Sequence, residues 1–235
     1  MGSESQASYH DERPIHRVYL ERFWMARTPV TNAQYRVFVE MTGCEPPEHW
    51  AGGKPRRGLE SHPVVNVTWH DAYAYCRWLS EATGKAITLP SEAQWEKAAR
   101  GDRDSREYPW GDNWDAGYCN CRELGLGDTT PVGVFPAGAS PYGILDMVGN
   151  VWEWTLSLGG KDANAPTFGY PYSAGDGRED LDARDDVFRV QRGGSYANDA
   201  RITRCASRGM GSTYVSDNVS GFRVAMAVPS TNGHE

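Results

Sequence analysis

Val148-Gly149-Asn150-Val151-Trp152-Glu153-Trp154-Thr155 decides how this chain is read. A Gly-Asn pair, suited to a turn that needs positive φ, leads into two tryptophans that flank one acid. Rings of that size bury themselves, so the carboxylate between them needs a partner, because an unpaired buried charge is costly. Asp146 and Glu153 stand on either side of the turn. A glycine-containing turn can aim two side-chain oxygens and the intervening carbonyls at one point, which suits a hard cation seeking about six to eight oxygens. The alternative is a strand-end acid pair bonded to backbone amides.

Working outward, three segments each place a hydroxyl residue three positions before a side chain able to return its hydrogen bond: Thr31 with Gln34, Thr68 with Asp71, and Ser91 with Gln94. That spacing predicts three capped helices. The first carries Tyr35, Phe38 and Val39 on one face and stops near Gly43. The second carries Ala72, Tyr75, Cys76 and Leu79 and stops at Gly84; the third buries Trp95, Ala98 and Ala99 and ends at Gly101. Asp71 is the shortest of the three capping partners. Residues 15–25 alternate well enough for a strand, and after Asp102 short strands and long loops are expected without a further helix.

With 235 residues, the chain suffices for one globular domain spanning 1–235. Its 26 Gly and 14 Pro favour turns over helices. The net charge of −7 argues against nucleic acid, which requires clustered Lys and Arg. No apolar run is long enough for a membrane span and no leader is visible, so a cytoplasmic location and no membrane partner are expected. The acidic run from Arg178 to Asp186 reads as a solvated loop. Cys44, Cys76, Cys119, Cys121 and Cys205 are odd in number and scattered, which favours reduced thiols. Cys119-Asn120-Cys121 lacks the further ligands of a tetrahedral zinc site. The six histidines (His10, His16, His49, His62, His70 and His234) form no HxxxHxE or HExxH pattern, and His62 and His70 read as structural.

The opening stretch and four others form an ordered set: Pro29-Val-Thr-Asn-Ala-Gln-Tyr35, Leu89-Pro-Ser-Glu-Ala-Gln-Trp-Glu-Lys-Ala-Ala-Arg100, Tyr108-Pro-Trp-Gly-Asp112, and the closing pair Arg192-Gly-Gly-Ser195 with Gly221-Phe-Arg-Val224. Across almost the whole chain this set resembles the formylglycine-generating-enzyme, or sulfatase-modifying-factor, family. The resemblance implies an α+β domain of that family's C-type lectin-like fold, with few helices, short strands and long irregular loops. In that family a similar Met-Gly-Ser follows an opening strand, so the resemblance also implies a domain cut from a longer protein. A structural calcium ion is implied at the side chains of Asp146 and Glu153 and the carbonyls of Gly149 and Val151. A second, gapped correspondence points to Asn120, the Cys121 carbonyl and Asp128. The family's disulfide positions do not pair here, Val224 standing opposite Cys76 and the partner position of Cys205 lying near Ala99.

The family's enzymes oxidise a substrate cysteine with two active-site thiols, copper and oxygen. In this chain that interval is Tyr196-Ala-Asn-Asp-Ala-Arg-Ile-Thr203, without a cysteine, and Asn198 and Ala200 stand about where the thiols would be. Neither supplies the soft sulfur that copper(I) selects, and Cys205 corresponds to a structural position. A second branch of the family forms sulfur–carbon bonds with iron held by a histidine/carboxylate set, also missing here. Absence of catalysis is the expectation.

From Gly193 to Arg223 the chain lacks Lys, Glu, Gln, Trp, Pro and Leu. A family-like frame of Arg, Gly, Cys and Phe carries small and polar fillings in a segment spanning about 192–224. That pattern resembles the variable region of proteins diversified by retroelements, which mutate adenines and reach Tyr, Asp, Ser, Thr, Ala, Gly, Val and Ile but not Glu, Lys, Gln or Trp. Such fillings adapt to many ligands at low entropic cost. The expected contact residues for an unidentified protein or other macromolecule are Tyr196, Ala197, Asn198, Asp199, Ile202, Thr203, Ser207, Gly209, Met210, Ser212, Thr213, Tyr214, Val215, Asp217 and Asn218. Met210 and Val215 could instead be core; Arg201, Arg204 and Arg223 are expected in the scaffold, on carbonyls or acids such as Glu153. Three readings stay open: a diversified binding surface, a generic interaction domain, and an oxidoreductase of the family's kind.

Overall fold

The computed structural model describes residues 1–162 and 165–228; His234 lies outside them. Three helices, α1 (Asn32–Thr42), α2 (Trp69–Thr83) and α3 (Glu92–Arg100), sit on short strands and long loops. All three caps close as reciprocal boxes, the Thr68–Asp71 pair included. Gly43 and Gly84 end α1 and α2 in the left-handed conformation, whereas Gly101 leaves α3 at φ 85, ψ −165. Beyond Arg100 the described residues contain only three-residue 3₁₀ turns as helical elements. The strand expected over 15–25 is confined to β1 (Phe23–Met25), because residues 13–22 form no ladder with another strand.

β2 (Ile87–Thr88) and β7 (Ala225–Ala227) join β1 in a three-stranded sheet ordered β1-β7-β2. β3 (Trp152–Gly160), β4 (Phe188–Arg192), β5 (Arg208–Gly211) and β6 (Ser220–Gly221) form the other, ordered β5-β4-β3-β6. The β3–β6 pair is parallel and sets Glu153 beside Gly221; β3 and β4 are antiparallel, with Glu153 opposite Arg192. The main core gathers Tyr35 and Phe38 of α1, Tyr75 and Cys76 of α2, Trp154 of β3 and Phe222. A smaller one holds Trp95, Ala98, Ala99, Met147 and Cys205. Truncating a ring such as Trp154 to Ala costs about 3–5 kcal/mol in cores of this kind.

Between these cores runs a buried set of ion pairs. Arg192 reaches Glu92 at 3.2 Å and Glu96 at 2.6 Å, Arg208 reaches Glu92 at 2.6 Å, Arg204 reaches Glu12 at 2.6 Å, and Arg223 reaches Glu153 at 2.6 Å. The opening residues join this network. The Gly2 N–H donates to Glu96 at 2.8 Å, and the Gly2 carbonyl accepts from Arg100 at 2.7 Å. Gly2 and Ser3 are therefore part of the interior. The Arg178–Asp186 run is only partly a solvated loop: Arg178 is buried against the Tyr172 ring, 4.2 Å from its centroid.

Candidate functional site

Asn150 holds the signature turn together. Its φ of 63° is one that Asn tolerates better than most residues. Its Oδ1 accepts from Thr130 N and Asn120 Nδ2, its Nδ2 donates to the Thr130 carbonyl, its own N–H donates to the Asn120 carbonyl, and its carbonyl accepts from Tyr196 N. Gly149 lies so close to Asn120 that a Cβ there would stand 2.3 Å from the Asn120 carbonyl oxygen. The turn, the 119–123 segment and the start of the 196–203 loop thus form one interlocked unit.

The implied calcium sites can be judged from their donors. Glu153 is fully buried, its Oε2 accepting from Arg223 Nε and Trp95 Nε1 and its Oε1 from Arg223 Nη2, each at 2.6 Å. A guanidinium already sits on this carboxylate, so Glu153 does not fit the ligand role that the resemblance gives it. Asp146, at φ 54, accepts from Gly133 N at 2.6 Å, and burial first of all pushes its carboxyl above the usual range. At Asn120 the donors do fit. Nδ2 is spent on the Asp128 carbonyl at 2.9 Å and on Asn150 at 3.2 Å, while the buried Oδ1 has no hydrogen-bond partner among the described residues. An amide oxygen fixed in that orientation, with the exposed Asp128 carboxylate nearby in the chain, matches a hard oxygen-seeking cation. No group of three His, Cys, Asp or Glu side chains placed to hold a metal ion occurs among the described residues.

All five cysteines are free. Cys205 is fully buried and its thiol is pushed up to about 12, chiefly by burial, which keeps it protonated and unreactive. His62 bonds Thr129 Oγ1 at 2.9 Å and His70 bonds Asp185 at 2.8 Å. In the 196–203 loop, Asn198 Oδ1 accepts from Ser195 N and Oγ, Asp199 pairs with Arg122, and Ala200 N donates to Glu123 at 2.9 Å.

The residues expected at the binding surface divide into two groups. Ala197, Tyr214, Val215 and Asn218 are exposed; Asn198, Asp199, Ile202, Ser212 and Asp217 are half-buried. Burial raises the Tyr196 hydroxyl's pKa and the Asn218 side chain opposes that rise, so the two loops lie side by side. Tyr214 and Thr213 both reach Asp185.

The other group belongs to the frame. Tyr196, Thr203, Ser207 and Thr213 are buried, Thr203 Oγ1 bonding the Asp199 carbonyl at 3.0 Å. Gly209 and Gly211 lie against tryptophan rings: a Cβ at Gly209 would stand 3.1 Å from the Trp152 ring and one at Gly211 2.4 Å from the Trp154 ring. Met210 packs on Gly159, where an added Cβ would come 2.7 Å from its sulfur. Arg204 and Arg223 are scaffold as expected. Arg201 is exposed instead, its guanidinium 4.7 Å from the centroid of the Tyr9 ring.

Residues 1–228 match the family model described as the sulfatase-modifying factor enzyme 1-like domain. The chain is 33% identical to a serine/threonine-protein kinase pkn1 of Chlamydia caviae over 95% of its own length and 36% of that protein. It is 35% identical to a hercynine oxygenase of Mycolicibacterium thermoresistibile, covering 84% of this chain and 49% of that protein. It is also 35% identical to a formylglycine-generating enzyme of Mycobacterium tuberculosis, covering 63% and 68%. This chain therefore spans between about a third and two thirds of these curated relatives. Among solved structures, PvdO from Pseudomonas aeruginosa aligns with a TM-score of 0.74 at 26% identity, over 96% of this chain and 88% of that one. Variable protein 1 of Treponema denticola aligns at 0.67 and 24% identity, over 88% and 84%, and shares the fold.

Proposed function

Because this chain belongs to the sulfatase-modifying factor enzyme 1-like family, we propose that it is a binding member without the family's thiol chemistry. Its surface, formed by 197–202 and 212–218, engages a protein or other macromolecule. The observation that carries this reading is the alternation of exposed loop tips with buried anchors: Ala197 and Arg201 lie between Ser195 and Thr203, and Tyr214, Val215 and Asn218 between Thr213 and Ser220. The tips can change without touching the core, and the interval assigned to the family's thiols holds Asn198 and Ala200 instead.

We read the Ala, Asn, Asp, Ile, Ser, Tyr and Val at those tips as the products of adenine-directed diversification. The positions open to variation are narrower than composition alone suggests, because Gly209 and Gly211 are fixed by tryptophan rings and Met210 by its packing on Gly159. Calcium held through Asn120 and Asp128 is proposed as structural. No helix among the described residues is long and apolar enough to cross a membrane, and the free cysteines favour a reducing compartment.

Sequencing sibling copies of the gene and its surroundings tests the finer reading. Differences should concentrate at 197–202 and 212–218, beside a near-identical template and a reverse transcriptase. Differences spread evenly over the chain would reduce the proposal to a generic interaction domain. An assay for thiol oxidation with added copper should show no turnover; turnover that disappears in Cys205→Ser would refute the non-catalytic reading.

A further inference from the structure

Directly beneath the 196–203 loop lie two thiols with no part in the binding reading. Cys119 and Cys121 are 3% and 1% exposed and share an apolar cluster with Val148, flanked by Trp110, Trp114, Ala116 and Leu124. Both have extended backbones, Cys119 at φ −153, ψ 161 and Cys121 at φ −139, ψ 175. Residues two apart in extended chain point the same way. Both side chains accordingly enter the same apolar cluster. The other cysteines have no such thiol neighbour, and two sulfurs alone do not make a zinc site.

We propose that Cys119 and Cys121 are an oxidation site, a dithiol that closes to an intrachain disulfide and in closing loosens the 196–203 loop. The oxidant is hydrogen peroxide. The Cys121 sulfur attacks one peroxide oxygen, breaking the O–O bond and giving a sulfenic acid and hydroxide, which takes up the thiol proton to become water. The Cys119 sulfur then attacks the Cys121 sulfur, the S–O bond breaks, and a second water leaves with the Cys119 proton. Two electrons pass from the sulfurs to the peroxide, and two waters form. Residues 122, 123 and 125–127, which follow Cys121 directly, are exposed, and opening of that short turn is the route by which hydrogen peroxide reaches the sulfur.

Coupling to the loop follows from geometry. Extended residues two apart place their Cα atoms about 6.6 Å from each other, at the long end of the range a disulfide accepts. Closure therefore draws Asn120 inward, and Asn120 cannot shift alone. It bonds Asn150 twice, at 2.7 Å and 3.2 Å, and presses on Gly149. Asn150 holds Tyr196 N at 3.0 Å, and the neighbouring Arg122 N holds the Asn198 carbonyl at 2.9 Å. Arg122 and Glu123 hold two further loop residues, Asp199 and Ala200. Every one of these ties runs to residues 120–123 or to Asn150.

The test does not depend on what the loop binds. A Cys44→Ser protein removes the one half-exposed thiol and leaves four of the five. Brief hydrogen peroxide treatment should leave two titratable thiols in denaturant, with a mass lower by two hydrogens and a linkage between Cys119 and Cys121. Amide exchange over 196–203 should then quicken about tenfold or more, reversibly with dithiothreitol. Unchanged thiol count, or oxygen added to Cys121 without a link, would overturn the site; a link with unchanged exchange would overturn the coupling. Cys121→Ser and Cys121→Thr variants should lose no hydrogens and keep slow exchange after peroxide. Should either fail to fold, the mass and exchange data of the Cys44→Ser protein still decide.

Discussion

Glu179 and Gly211 show how differently two side-chain positions in one domain behave. Glu179 is half-buried beside Tyr172 and Ser157, whose hydroxyls both donate to its Oε1. Burial, the largest influence, raises its carboxyl above 4.5, the hydroxyl bonds opposing it. A raised acid binds its proton more tightly folded than unfolded, so its stabilising share is complete below 4.5 and is lost as pH climbs through the raised value. Glu179→Gln keeps both hydroxyl bonds and should make the protein more stable at pH 7, with a flatter decline above pH 4.5 in urea titrations. An unchanged pH slope would count against it. At Gly211 a methyl group would meet the Trp154 ring at 2.4 Å, so Gly211→Ala should lose about 1–3 kcal/mol. Val215→Ala, at 53% exposure, should change stability by less than about 0.5 kcal/mol. Equal losses at the two would erase the division between frame and display. Composition could not separate these positions, because glycine reads alike whether it serves adaptability or makes room for a ring. Buried Thr203, Ser207 and Thr213 look in sequence like any solvated hydroxyl residues.

Helices were the most legible elements. Each hydroxyl-x-x-acceptor spacing marks its own start within four residues, and left-handed glycines end α1 and α2, so no distant partner is needed to read them. The Thr68–Asp71 box carries a specific expectation despite its short acid. Thr68 Oγ1 accepts from Asp71 N at 3.1 Å, and Thr68 N donates back to Asp71 Oδ2 at 2.9 Å. Thr68→Ala should cost about 1 kcal/mol in chemical denaturation, and Thr68→Ser should recover most of it. Strands were less legible. β1 survives as three residues because its length is set by β7, far along the chain, rather than by its own alternation. Glu153 makes the same point inside β3: its neighbours Trp152 and Trp154 announce burial, but the choice between a cation and Arg223 as its partner depends on a residue seventy positions away.

In the molecule as a whole, long-range pairing dominates. Arg204 and Glu12 are 192 positions apart and Arg208 and Glu92 are 116 apart, distances over which local pattern carries no signal. The family frame announces the arginines, while their partners become visible only on folding. Calcium acts at the same level. A cation on Asn120 would link the 119–123 segment, the signature turn and the loop above them. Free calcium at about one hundred times its Kd should stabilise the protein by about 2.7 kcal/mol. The rise in Tm should vanish in Asn120→Ala, each protein being compared with its own chelated state; equal rises would remove the assignment.

The buried arginine–glutamate pairs also constrain how such a chain can evolve. Deleting one member strands the other's charge in the interior, at about 3–5 kcal/mol, which is a large fraction of a domain's margin. Exchange of both members at once is rare, so a lineage cannot walk away from the skeleton by single steps. Novelty is funnelled into the intervals between pairs, and a gene of this kind can drift far in what it recognises while its architecture stays where it began.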